Sequence, residues 1–211
     1  ETIVTFVGYE VTYGKAWRYC RPVVLVDGTF LTVKYRGTLM MAVVVDPENQ
    51  IVSMAFALAE GENNDSWSWF MCLLRVHVLG PYCTICFISD RHIGILNATG
   101  EHIDGRSPLV HRCCMRHFAA NFWWRQQKKE ATDKLKELCN KHMEHEFKET
   151  MVELDKMLNQ AGKAWLDQQM ENKVKWALAY DEGGFRYGIM TTNSSESFNH
   201  VFKGVRSLPV S

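Results

Sequence analysis

Apolar residues in the first half of the chain come in unbroken runs rather than in alternation. Val23 to Val26, Thr38 to Val45 and Ile51 to Ala59 are three such runs. Continuous runs of this length, bounded by turn residues, predict strands covered on both faces of a sheet. The second run stops at Asp46-Pro-Glu-Asn49, where proline's fixed φ suits a turn. Short connections between the three runs then predict an antiparallel meander. Thr2 to Val7 has the same β-branched character, inside a lead-in segment of residues 1–20.

The pattern changes at Asn63-Asn-Asp-Ser66, a stretch of helix-capping chemistry in which Asp65 reads as a cap. Trp67, Phe70, Leu73, Leu74 and Val78 follow at helical spacing, and Gly80-Pro81 ends the helix. Cys83 to Ile88 is a fourth apolar run that ends on Asp90, just before a helix-like Arg91 to Ala98. A strand reached through a helical crossover lies parallel in the same sheet, which makes the fourth strand parallel to the first.

From about Arg116 to Tyr180 the strand signal disappears. Leu135, Leu138, Phe147, Met151, Leu154 and Leu158 recur at three- and four-residue intervals among lysines and glutamates, which predicts a block of two to four amphipathic helices. Gly183-Gly184 closes that block, and Thr191-Thr-Asn193-Ser-Ser-Glu196 opens a last helix carrying Phe198, Val201 and Phe202. The organisation expected is a lead-in at 1–20, a core at 21–115, a helical insertion at 116–182, and a return to the core at 183–211.

Composition narrows the function classes. With 46% hydrophobic residues and 12% aromatics, 211 residues can fill a real core. Lysine plus arginine equals aspartate plus glutamate at 24 each, so a polyanion site requires local clustering rather than a global field. The seven scattered cysteines and the lack of a secretory signal or a membrane-length apolar run point to a reducing, intracellular setting with free thiols. Glu1 at the start and Ser211 at the end read as cuts from a longer protein.

Three acids stand where strands or helices meet loops, and each has a purely local explanation. Asp27-Gly28 between β-rich runs is a hairpin signal. Asp90 between strand and helix suits an N-cap. Asn193 followed by Glu196 is a capping-box spacing. Residue types alone leave these readings open beside a catalytic one. Glu60 and Glu62 read as loop acids facing water, and Asp46 and Glu48 as turn residues.

Five ordered words shift the balance: Cys20-Arg-Pro-Val-Val-Leu-Val-Asp27-Gly-Thr-Phe, Ala59-Glu-Gly-Glu-Asn-Asn-Asp-Ser-Trp67-Ser-Trp-Phe70, Phe87-Ile-Ser-Asp90-Arg, His111-Arg-Cys-Cys114-Met-Arg-His117, and Arg186-Tyr-Gly-Ile-Met-Thr-Thr-Asn193-Ser-Ser-Glu196-Ser-Phe-Asn199. Together, from about Cys20 to Pro209, they resemble the transposase domain of plant Mutator-like elements. That resemblance implies an α/β, RNase H-like mixed sheet flanked by helices, with an all-helical insertion. It implies Asp27, Asp90 and Glu196 as an acidic triad. Triads of this kind hold two hard divalent ions, Mg²⁺ or Mn²⁺, for DNA strand cleavage and transfer of the 3′ hydroxyl.

Further expectations come with the family. The partners are transposon ends and target DNA, in a dimeric nuclear assembly with no membrane. End recognition is expected outside this chain. Cys114 and His117 match a Cys-x-x-His signature, either half of a structural Zn²⁺ site completed by Cys113, His142 or His145, or a support for the acids and DNA. Arg112, Arg116, Arg125, Lys128 and Lys129 are the densest basic run, interleaved with Phe122, Trp123 and Trp124. They read either as a phosphate- and base-contacting surface or as a solvated face over buried aromatics. The alternative function is a domesticated regulator that binds DNA without cutting it.

Overall fold

The computed structural model describes residues 5–8, 19–31, 37–79, 84–105 and 108–192. Within these residues the chain forms two compact units, which divide between His111 and Arg112 and again between Thr191 and Thr192.

The first unit is built on a sheet. Its strands are β1 (Thr5–Gly8), β2 (Val23–Leu31), β3 (Gly37–Val45), β4 (Ile51–Ala59), β5 (Ile85–Ser89) and β6 (Leu109–Cys113), in the order β1-β4-β3-β2-β5-β6. β2, β3 and β4 form the antiparallel meander expected from their runs, and β5 pairs parallel with β2. Residues 5–8, inside the segment read as lead-in, add a strand antiparallel to β4. The β3–β4 turn is held by Asp46, whose Oδ1 accepts from the amides of Glu48 at 2.9 Å and Gln50 at 2.7 Å.

Two helices pack on this sheet. α1 (Asn64–Leu73) continues through a π-helical turn to Leu79, and α2 (Ile93–Gly100) follows β5. The cap of α1 is Asn63, not Asp65: its side chain accepts from Ser66 N at 3.0 Å, while Ser66 Oγ accepts from Asn63 N at 3.1 Å. Asp65 sits in the first turn, where a negative charge suits the helix dipole. Val24, Val26, Met40, Ala42, Ala55, Ala57 and Phe87 form one core with Trp67, Phe70, Met71, Leu74 and Ile95. Val23, Leu25, Met41, Val43, Cys86 and Ile88, on the other face of the same strands, are also fully enclosed.

The second unit is helical, with α3 (Met115–Gln126), α4 (Lys129–Cys139), α5 (Glu144–Asp155) and α6 (Gln160–Met170), then three short 3₁₀ turns. Phe118, Phe122, Leu135, Leu138, Phe147, Leu154, Leu166 and Trp176 form its core. Trp176 stacks on Phe118 at 4.9 Å. Arg186 is completely enclosed and its Nη2 donates to the carbonyls of Cys113 at 3.0 Å and Lys175, binding the end of the unit to its beginning. The six cysteines among the described residues are free thiols. No helix among those residues is long and apolar enough to cross a membrane.

Candidate active site

The run Val23 to Leu31 does not turn at Asp27-Gly28. Asp27 pairs with Met41 and Gly28 with Met40 in the middle of the β2–β3 ladder, so the hairpin reading is set aside. Packing explains the glycine: a Cβ at Gly28 would meet Trp67 Cζ2 at 3.2 Å and Glu62 Oε1 at 3.3 Å. Gly28 lets α1 approach the strand closely, and the Asp-Gly pair owes nothing to a turn.

Side chains alternate along a strand, so Gly28 faces α1 with Val24 and Val26, and Asp27 faces the opposite side with Val23 and Leu25. The parallel ladder between β2 and β5 runs Val23↔Cys86, Val24↔Phe87, Leu25↔Ile88. Asp27 lies on β2 two residues past the last pair of this ladder, and Asp90 follows the last residue of β5, so both acids come at the same end of the β2–β5 pairing. Both are half-buried.

Each carboxylate is oriented by a nearby amide. Asp27 Oδ1 accepts from Gly28 N at 3.0 Å. Asp90 Oδ1 accepts from His92 N at 2.9 Å. The N-cap of α2 is His92, whose Nδ1 accepts from Gly94 N at 3.2 Å, so the capping role expected of Asp90 falls to its neighbour. Behind Asp90, Ser89 Oγ donates to the Asp90 carbonyl at 2.7 Å and lies 3.0 Å from His111 Nε2 on β6.

Glu62 differs from its expected place in water. Its side chain is only 16% exposed, it accepts from Trp67 Nε1 at 3.2 Å, and His92 Nδ1 lies 3.9 Å from it. Glu60 is exposed as expected. The sequence signal for Glu62 was its tryptophan five residues later, since a buried indole N–H needs an acceptor.

Glu196, the third acid, lies outside the described residues, as does the helix with Phe198, Val201 and Phe202. Among the described residues no three His, Cys, Asp or Glu side chains gather into a metal-holding group. Cys114 is enclosed at the start of α3, His117 Nε2 lies 3.0 Å from Arg116 Nη2, and His142 and His145 are exposed.

The basic run divides. Arg116, Arg125, Lys128 and Lys129 are exposed. Arg112 is not, which corrects its place in a DNA footprint: its Nε donates to Asp181 Oδ1 at 2.7 Å, with the two side chains 7% and 3% exposed. Its Nη2 points to the Glu182 carbonyl at 3.4 Å, and its guanidinium lies 5.9 Å from the Phe185 ring centroid. The aromatics divide as well, Phe122 being enclosed and Trp123 and Trp124 exposed.

The described residues define an α/β protein with a mixed sheet flanked by helices, with Asp27 on β2 and Asp90 just after β5. Residues 23–121 match the family model of the MULE transposase domain, which suggests a transposase-related function. A transposase domain implies a DNA partner. No curated protein matches the chain.

Proposed function

We propose that the chain is the catalytic core of a DNA transposase, an RNase H-like nuclease that cuts DNA at element ends and joins the freed 3′ hydroxyl to target DNA. Its acids are Asp27, Asp90 and Glu196. The observation that supports this reading is the pairing of β2, which carries Asp27, with the parallel β5, which leads into Asp90, inside a stretch that matches the MULE transposase domain. Two half-buried carboxylates of this kind have the donor chemistry that hard cations require. When bound, Mg²⁺ or Mn²⁺ supplies activation of the attacking oxygen and neutralisation of charge on the phosphate.

The chain's own part is positional. The β2–β5 pairing brings together the strands that lead to the two acids, and the amides of Gly28 and His92 set the direction of each carboxylate before DNA arrives. Glu196, three residues beyond Asn193, supplies the third acid. A two-copy assembly in the nucleus belongs to the same reading.

The test is a strand-cleavage and joining assay on labelled element-end DNA with Mn²⁺. Asp27→Asn, Asp90→Asn and Glu196→Gln each abolish product while circular dichroism is unchanged. A wild-type rate in the Asp27 or Glu196 variant overturns the assignment. Binding without cleavage by the unaltered chain identifies a domesticated regulator instead.

A further inference from the structure

Between Asp104 and Glu130 the sequence contains no acid, yet it holds Arg106, Arg112, Arg116, Arg125, Lys128 and Lys129 in a chain of balanced charge. With Arg112 engaged by Asp181, the described cations that remain lie on α3 and just after it. Two tryptophans stand among them in the open: Trp124 is 73% exposed and Trp123 is 40% exposed. Aromatics of this size are ordinarily well covered.

The helix cannot turn them inward. Phe118, Phe122 and Gln126, spaced by four, occupy the buried side of α3. Gln126 pins that side: its Nε2 donates to the Met157 carbonyl at 2.8 Å and its Oε1 accepts from Asn159 N at 3.0 Å. Asn159 Nδ2 in turn donates to the Gln126 carbonyl at 3.2 Å. Trp124 is therefore held outward on a fixed helix end. Its neighbours three and four residues back, Asn121 and Ala120, are exposed and too short to cover an indole. Gln127, at φ 50°, ends the helix and leads directly into Lys128 and Lys129.

Rigid aromatic faces ringed by cations match a polyanion with exposed π-surfaces. A second copy of this chain meeting the same face about a two-fold axis would set these cations against their own equivalents. We propose that the outward face at the C-terminal end of α3 is a platform for DNA with unpaired bases. Trp124, with Trp123 beside it, stacks on a base, and Arg125, Lys128 and Lys129 meet the phosphates. The proposal rests on the reading that the chain handles DNA, but not on the chemistry assigned to the acids.

The test titrates the full chain into fluorescein-labelled oligothymidylate and into a duplex of equal length, by anisotropy at several salt concentrations. Trp124→Ala weakens oligothymidylate binding about tenfold and leaves the salt slope unchanged. Trp124→Phe retains most of the affinity. The double variant Lys128→Gln/Lys129→Gln lowers the salt slope by about 1.4.

Three results overturn the platform: unchanged affinity in Trp124→Ala, dissociation of a protein dimer by that substitution without oligonucleotide, or its loss of binding to phosphatidylserine vesicles in place of DNA. The titrations are run without divalent ion, so oligothymidylate binding is read apart from cleavage. Cleavage lost with binding intact, and binding lost with the acids intact, thereby report on the two readings separately.

Discussion

Replacing Asp181 by alanine leaves the Arg112 guanidinium inside the helical unit without its carboxylate, and takes from the Arg186 amide an acceptor now 2.9 Å away. A surface ion pair contributes about 0–1 kcal/mol, whereas breaking a buried one costs about 3–5 kcal/mol because a charge is left uncompensated. With both side chains almost wholly enclosed, the second regime applies. Asp181→Ala should lower unfolding free energy by about 3–5 kcal/mol, and Arg112→Met by a little less, since Asp181 keeps the Arg186 amide. The double variant Arg112→Met/Asp181→Leu should cost far less than the sum, because neither charge remains to be stranded. Urea denaturation gives all three values from the midpoint at constant m. A cost below about 1 kcal/mol for Asp181→Ala, or additive costs in the double variant, refutes the burial argument. The same double variant should bind DNA with an unchanged salt slope, because Arg112 is enclosed and paired with Asp181.

Two other perturbations probe the fold at separate points. A Cβ at Gly94 would lie 2.7 Å from Trp67 Cδ1 and 2.9 Å from the Asn63 carbonyl, so Gly94→Ala should cost about 1–3 kcal/mol, read as a lowered thermal midpoint. An unchanged midpoint would mean that α1 and α2 do not meet there. Burial pushes the Cys139 thiol from 9.0 up to about 12, so alkylation in mildly alkaline buffer should spare it until the chain is unfolded. Because the folded value is the raised one, the associated stability is complete below about 9 and is lost as pH rises from there toward 12. Rapid native-state labelling of Cys139, found by peptide mapping, would contradict this.

The meander, the parallel fourth strand and the amphipathic helices were legible because long apolar runs and helical periodicity record burial directly. β6 was not: Leu109-Val-His-Arg-Cys113 buries His111 and Arg112, and their partners, Ser89 and Asp181, are remote in sequence. For the same reason Arg112 looked like a phosphate contact. A cation's neighbours in sequence reveal local charge density, but a carboxylate 69 residues away that removes it from the surface leaves no local trace. Glu62 was masked by its loop setting, although Trp67 carried the clue. Asp27-Gly28 satisfied a turn pattern through a glycine required by an indole on the next helix. Outward Trp124 was open from sequence because α3 carries Phe122, Trp123 and Trp124 in succession, and only the helix's rotation decides which are covered.

The one-for-one ladder between β2 and β5 has an evolutionary consequence. Because backbone pairing aligns β2 with β5, substitutions among the surrounding valines, methionines and alanines can reshape the core without shifting the strands that lead to the acids. Changes in length behave differently. Residues may be added or lost between β3 and β4, or after α1, at the cost only of a longer loop. A single residue inserted between Cys86 and Asp90 would turn the second acid to the other face of the sheet. Relatives of this chain should vary freely in loop length and hardly at all in the count from each strand's paired residues to its acid.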